Sequence, residues 1–317
     1  MKKCFLFPGQ GAQYPGMGRD IWEKSKKVQE LFTLASDVTK IDLKALLFEG
    51  SEEELAKTNR TQIAVTLINV AARYYIEELG IESDGYAGFS VGEYAALHAG
   101  GIVDSSDLFQ IVQARGELME VASRSSDTPS GRSGMAAVIG MSPEKVTEIL
   151  DNQDNEVYAA NFSSPKQVVL AGTSEGLDSV QEMFESAGAR RFIRLKVSGP
   201  FHSPLIKSAS IDFEKSISKF VFSDPVKPVY ANVTGLEIKS GAEARQLCIE
   251  QISSSVQWVK EVNQLFQAGF SQFYETGPGK VLTGLFRAFD LDVECLPAGS
   301  VDNIELAINK SHDHGRI

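Results

Sequence analysis

The chain opens with an apolar run, Cys4 to Phe7, cut off by Pro8-Gly9, a pattern that predicts a buried strand. A loop rich in turn formers follows, from Gly9 to Gly18. Helical spacing then dominates. Ser51 with Glu54 reads as a capping box, Gln62 to Leu79 as a long amphipathic helix closed by Gly80, and Asp107 to Ala122 as another helix. Between them, Gly85 to Phe89 reads as a short buried strand and Val91 to Ala99 as a helix stopped by Gly100-Gly101.

From Ser123 to Gly134 the texture turns to Ser, Arg, Asp, Pro and Gly, a linker by composition. Beyond it the pattern predicts strand Met135–Ile139, helix Pro143–Leu150, strands Val157–Ala160 and Val168–Ala171, helix Leu177–Ala187 and strand Arg191–Val197. That β-α-β-β-α-β order is the split ferredoxin-like unit. From Ser198, helices alternate with short apolar runs such as Val229 to Ala231 and Phe270 to Tyr274, and Ser311 to Ile317 reads as a loose polar tail. The expectation is an α/β protein. Residues 1–125 and 198–317 would form a large subdomain with a mainly parallel sheet, and 126–197 an inserted small one.

Composition narrows the function classes. The 317 residues are 43% hydrophobic, enough for a large core. The net charge of −11, with no basic run, argues against nucleic-acid binding. Cys4, Cys248 and Cys295 are sparse and odd in number, which fits a reducing compartment better than a disulfide framework. No apolar stretch is long enough to cross a bilayer, and Lys2-Lys3 precede only Cys4 to Phe7, too short a run for a signal peptide. No metal-ligand spacing occurs. A cytoplasmic protein without membrane contact is expected.

Candidate chemistry centres on Gly88-Phe89-Ser90-Val91-Gly92. Gly-x-Ser-x-Gly is common in plain turns, but between a strand and a helix it lifts a serine hydroxyl clear of the sheet, beside free N–H groups at a helix start. A serine nucleophile needs a base, and the chain has four histidines. His312 and His314 lie in the polar tail, and His98 is over two turns along the helix from Ser90. His202 remains, in the loop Ser198 to Pro204; its alternative is a surface or capping histidine. No carboxylate stands out as a third member, and a backbone carbonyl can also orient an imidazole. The Gly9-Gln10-Gly11 loop leaves the first strand as an oxyanion loop would, so an N–H there and that of Val91 are candidate oxyanion donors. Arg115 falls on the apolar stripe Leu108, Ile111, Val112, Leu118, Met119, Ala122. It is either tied to an internal acid, or snorkelling, or held as a fork for a ligand carboxylate. Arg190, Arg191, Arg194 and Lys196 crowd one strand, as a solvated edge or as a docking patch for an acidic partner.

Together these motifs resemble the malonyl-CoA:acyl-carrier-protein transacylases and the acyltransferase domains of polyketide synthases. The resemblance runs from Phe7-Pro8-Gly9-Gln10-Gly11-Ala12-Gln13 to Gly277-Pro278-Gly279-Lys280-Val281-Leu282-Thr283-Gly284-Leu285. It passes through Gly88 to Tyr94, Gln113 to Gly116, Ala160 to Pro165, Gly199 to Leu205 and Ser255-Val256-Gln257-Trp258. It implies an α/β-hydrolase-like large subdomain and a ferredoxin-like small one. It also implies Ser90 as the acylated nucleophile, His202 as its base, and Arg115 as the partner of the malonyl carboxylate. Gln10 and Val91 would be the oxyanion donors, and Gln257 would lie where a main-chain carbonyl orients the histidine. The implied partners are malonyl-CoA and acyl carrier protein, with no metal and no tightly held cofactor. A monomer serving fatty-acid synthesis is expected. A trans-acting polyketide acyltransferase or an acyl hydrolase on the same scaffold is the alternative. Where the family usually has histidine before the nucleophile, this chain has Phe89, which bears on the acyl pocket and not on the base.

Overall fold

A computed structural model describes residues 1–151, 156–290 and 293–313, without the side chains of 311–313. The α/β class holds. Strands β1 (Lys2–Phe7), β2 (Gly85–Gly88), β3 (Gly134–Ile139), β4 (Val157–Ser164), β5 (Gln167–Gly172), β6 (Arg191–Arg194), β7 (Phe270–Glu275) and β8 (Cys295–Pro297) form two sheets. One is wholly parallel, in the order β2-β1-β7-β8, and the other antiparallel, in the order β4-β5-β3-β6.

In the parallel sheet Cys4, Phe5, Leu6 and Phe7 are fully buried, as expected of a strand covered on both faces. Helix Thr58–Glu78 lies across this core. It was read as amphipathic, and it is instead buried almost all round between its start and Ile76. Its polar residues make that possible: Gln62 meets Arg115, and Asn69 Nδ2 donates to the Pro8 carbonyl at 2.9 Å. At the far end of β7, the Glu275 carboxylate accepts the N–H groups of Leu282 and Thr283 at 2.9 and 2.7 Å, starting the next helix after Gly277-Pro278-Gly279.

Several boundaries differ from the sequence pattern. Helix Ser105–Ser125 starts at its Asp104 cap and runs into the supposed linker, which shrinks to a small turn bridged between Thr128 and Gly131. Val229 to Ala231 forms no full strand. Val229 makes one parallel bridge to Tyr86, and Tyr230 one antiparallel bridge to Glu237. The sixth strand stops at Arg194, three residues short of the expected Val197. β4 is tied to the segment before helix Trp258–Gln267, where Phe162 N–H donates to Val256 O at 2.9 Å and Val256 N–H to Ala160 O at 2.8 Å.

Candidate active site

Backbone geometry explains the Gly-x-Ser-x-Gly pattern. Ser90 has φ 52°, in the left-handed region that a side chain rarely adopts. The chain doubles back so tightly there that a Cβ on Gly88 would stand 2.2 Å from the Gly92 carbonyl carbon, and one on Gly92 2.1 Å from Phe7 O. Only glycine fits at either place. Helix Gly92–Ala99 begins immediately after, so Ser90 sits at its N-terminal end, partly open to solvent.

His202 converges on it. Ser90 Oγ and His202 Nε2 are 2.7 Å apart. The His202 Nδ1 faces the Gln251 carbonyl at 2.8 Å. A carbonyl only accepts, so Nδ1 carries the proton and Nε2 is left bare to accept the serine O–H. His202 has φ 59°, a second strained backbone in the same site, and its own N–H donates to Ile252 O at 3.1 Å. Burial, and then the positive charge of Arg115, push the imidazole pKa down to about 3. The base is therefore neutral across the physiological range.

The assignment of Gln257 as the histidine-orienting residue is corrected by this geometry. Gln257 N–H donates to Asn232 O at 2.7 Å and caps helix Trp258–Gln267, whereas the carbonyl facing His202 belongs to Gln251. The chain meets the imidazole at the end of helix Gly241–Gln251 and has turned away by residue 257. A signal was present: Gln251 continues the buried stripe Ala244, Leu247, Cys248.

Arg115 lies in the same cluster and is 1% exposed. Its Nη1 donates to Gln62 Oε1 at 2.6 Å, and its Nη2 to Gln251 Oε1 at 2.9 Å and to Ser90 Oγ at 3.3 Å. The guanidinium also sits 5.3 Å from the Tyr94 ring centre. No carboxylate ion-pairs with it among the described residues, and its Nε has no hydrogen-bond partner there. Snorkelling fails, and the internal acid is reduced to Glu93, which acts on the cation through space without pairing to it. Two neutral amides hold a buried cation beside the serine, a costly arrangement that a ligand anion would relieve.

Gly9 packs against the turn, since a Cβ there would stand 2.5 Å from Phe89 O, and neither the N–H of Gln10 next to it nor that of Val91 meets an acceptor among the described residues. Ser90 N–H is not free: it donates to Asn232 Oδ1 at 2.7 Å. Phe89 stacks edge-on against Trp258 at 5.5 Å, inside an apolar cluster with Leu6 and Val256. A cleft of about 610 Å³ opens beside His202, lined also by Tyr158, Phe162 and Ser254. It adjoins a second of about 790 Å³ that shares Phe162 and takes in Gln257 and Asn263.

The other histidine on the nucleophile helix is structural. His98 Nδ1 meets Val103 O at 3.0 Å, and burial followed by Arg73 lowers its pKa to about 4. His314 and the His312 side chain lie outside the described residues. Among the described residues no cluster of His, Cys, Asp or Glu could hold a metal, and no helix is long and apolar enough to cross a membrane. The basic residues of β6 are exposed on the edge of the antiparallel sheet, with Arg194 paired to Asp178 at 3.2 Å. Sequence reasoning missed Gln62, Gln251 and Asn232, all polar residues on buried faces.

Comparison with known proteins agrees with the geometry. The family model described as "Acyl transferase domain" matches residues 4–285. The malonyl CoA-acyl carrier protein transacylase of Bacillus subtilis is 36% identical over 310 residues, 97% of this chain and 96% of that one. The crystal structure of the malonyl CoA-acyl carrier protein transacylase from Clostridium perfringens superposes with a TM-score of 0.93 at 31% identity, covering 99% of this chain and 98% of that one. A malonyl-transacylase solved in complex with its type II PKS acyl-carrier protein gives a TM-score of 0.91 at 33% identity, over 98% of this chain and all (100%) of that one. A glycine-framed serine, an imidazole within hydrogen-bond reach and a family match over most of the chain agree: this protein belongs to the acyl transferase domain family.

Proposed function

We propose that the protein transfers a malonyl group from malonyl-CoA to the phosphopantetheine thiol of acyl carrier protein through a malonyl ester on Ser90. The carrying observation is the shared contact at the serine: His202 at 2.7 Å on one side and, at 3.3 Å on the other, Arg115, which has no direct ion pair among the described residues. In the first half-reaction the Ser90 oxygen attacks the thioester carbonyl, and its proton passes to His202 Nε2. The Gln10 and Val91 N–H groups receive the developing oxyanion. The C–S bond then breaks, and the His202 proton goes to the departing coenzyme A thiolate. In the second, His202 takes the proton of the carrier thiol, whose sulfur attacks the ester. The Ser90–acyl bond breaks, and the proton returns to Ser90.

Arg115 supports selection of a dicarboxylic acyl group, because an acyl chain without the carboxylate leaves the buried cation unpaired. It also links binding to basicity. The Arg115 charge helps hold His202 protonation down. A malonyl carboxylate paired with that charge offsets it, and so strengthens the base only when the right substrate is bound.

In this reading residues 1–125 and 198–317 form the α/β-hydrolase-like subdomain, and 126–197, with strand order β4-β5-β3-β6, the ferredoxin-like one. The enzyme works as a cytoplasmic monomer without metal or tightly held cofactor, and serves fatty-acid synthesis. The edge strand β6 offers a basic face to an acidic carrier. Intact-mass measurement after incubation with malonyl-CoA tests the core of this. A malonyl adduct absent in Ser90→Ala and discharged by carrier protein is expected. Rapid release of free malonate without carrier protein would mean a hydrolase instead, and no adduct with no turnover would end the acyl-transfer reading.

A further inference from the structure

Beneath the nucleophile turn lies a side chain that acyl transfer itself does not use. Asn232 is fully buried. Its Oδ1 accepts the Ser90 N–H at 2.7 Å and Gln251 Nε2 at 3.4 Å. Its Nδ2 donates to the Gly88 carbonyl at 2.7 Å and to Glu261 Oε2 at 2.9 Å. Its backbone N–H donates to Glu93 Oε2 at 2.6 Å. One amide therefore grips the chain on both sides of Phe89, where the backbone enters its left-handed turn.

We propose that Asn232 is the positioning residue of the nucleophile, its amide clamping the Ser90 turn while Glu261 and Glu93 fix that amide's orientation and seat. The inference rests on Ser90 being the acylated group and adds what holds it in place. A flipped amide would turn NH₂ against the Ser90 N–H and oxygen against the Gly88 carbonyl, so these two backbone contacts specify one state. The clamp also takes up the Ser90 N–H, which leaves oxyanion binding to other donors. Both carboxyls are fully buried, and burial raises their pKa values, that of Glu93 to about 7. No feature of the sequence pattern marked this hub, since Asn232 simply ends an apolar run before Gly235.

Asn232→Asp keeps the shape and the acceptor for Ser90 N–H but sets a carboxylate oxygen against the Gly88 carbonyl and Glu261. Two readouts are compared: the rate of Ser90 labelling by a fluorophosphonate, which needs no acyl donor, and the dissociation constant for coenzyme A. The titratable groups facing the site are Glu93, Glu261, Arg115 and His202. Burial, and then the neighbouring carboxyls, raise the introduced carboxyl's pKa, and its protonation restores one donor. Relative to native enzyme measured at the same pH, which cancels the native Glu93 titration at about 7, labelling is therefore expected to be about 100-fold lower at pH 8 and to recover roughly tenfold by pH 6. Asn232→Ser, which cannot titrate, should be slowed at both pH values alike, and it carries the test if the first variant does not fold. Coenzyme A affinity should stay within about threefold of native in each. Labelling within about threefold of native in either folded variant, or loss matched by an equal loss of coenzyme A affinity, overturns the proposal. Native enzyme that is labelled by the phosphonate yet takes no acyl group from malonyl-CoA would sink the acyl-transfer reading and leave the clamp standing.

Discussion

The two sheets handle their polar groups in opposite ways. The parallel sheet is covered on both sides, and β1 is fully buried from Cys4 to Phe7. The groups of the candidate site converge around the ends of β1 and β2, where the buried Arg115, His202, Gln251 and Asn232 meet a partly open Ser90. The antiparallel sheet packs one face on its own small core and the other on the main core, but it ends in β6, where Arg191, Ile193 and Arg194 are exposed. It contributes Tyr158 and Phe162 to the cleft wall and makes no hydrogen bond to Ser90 or His202 among the described residues. Enclosure makes each charge and hydrogen bond of the first region costly to leave unmatched, so those residues are strongly coupled. The solvated edge screens its charges, so they act one at a time and weakly.

The largest effect expected from this contrast is at Arg115. Arg115→Ala should lower kcat/KM for malonyl-CoA on the order of 100-fold or more and relax discrimination against acetyl-CoA. With the cation gone the His202 pKa rises, so the acid-side limb of the pH profile, set by His202 losing its proton, should also move to higher pH. Unchanged malonyl/acetyl selectivity would return Arg115 to a purely structural role.

A second effect concerns stability. The folded His202 pKa of about 3 lies below an unfolded value of about 6.5. The unfolded chain therefore takes up this proton first, and stability is lost as pH falls below about 6.5 and continues to fall toward about 3. His202→Asn removes that penalty. Relative to the native chain, the variant should gain about 2–3 kcal/mol in denaturant unfolding on going from pH 7.5 to 4.5. No relative gain would mean that the imidazole is not buried neutral.

The smallest effect belongs to the other sheet. Reversing Arg191 and Lys196 to Glu should raise the apparent KM for carrier protein by only about three- to tenfold and flatten its salt dependence. The malonyl-CoA half-reaction should be untouched. Equal loss in both half-reactions would mean that β6 is tied to the enclosed site after all.

Without marking β8 or the strand order of the parallel sheet, the chain's periodicity and punctuation were enough to determine the α/β class, the succession of strands and helices from β3 to β6, and the serine on its glycine-framed turn. Those depend on neighbours in sequence: an apolar run of β1 type, a Gly on either side of Ser90, a single histidine left by elimination. Arg115 also announced itself locally, as a charge on an apolar stripe. Only the tertiary structure decided what surrounds them. It replaced an internal acid with the amides of Gln62 and Gln251 as the holders of Arg115, moved the histidine's carbonyl from Gln257 to Gln251, and brought Asn232 under Ser90 from 142 residues away. The reason is that a buried hydrogen bond is satisfied by whichever group the packed chain delivers within reach, and sequence spacing carries no record of that distance.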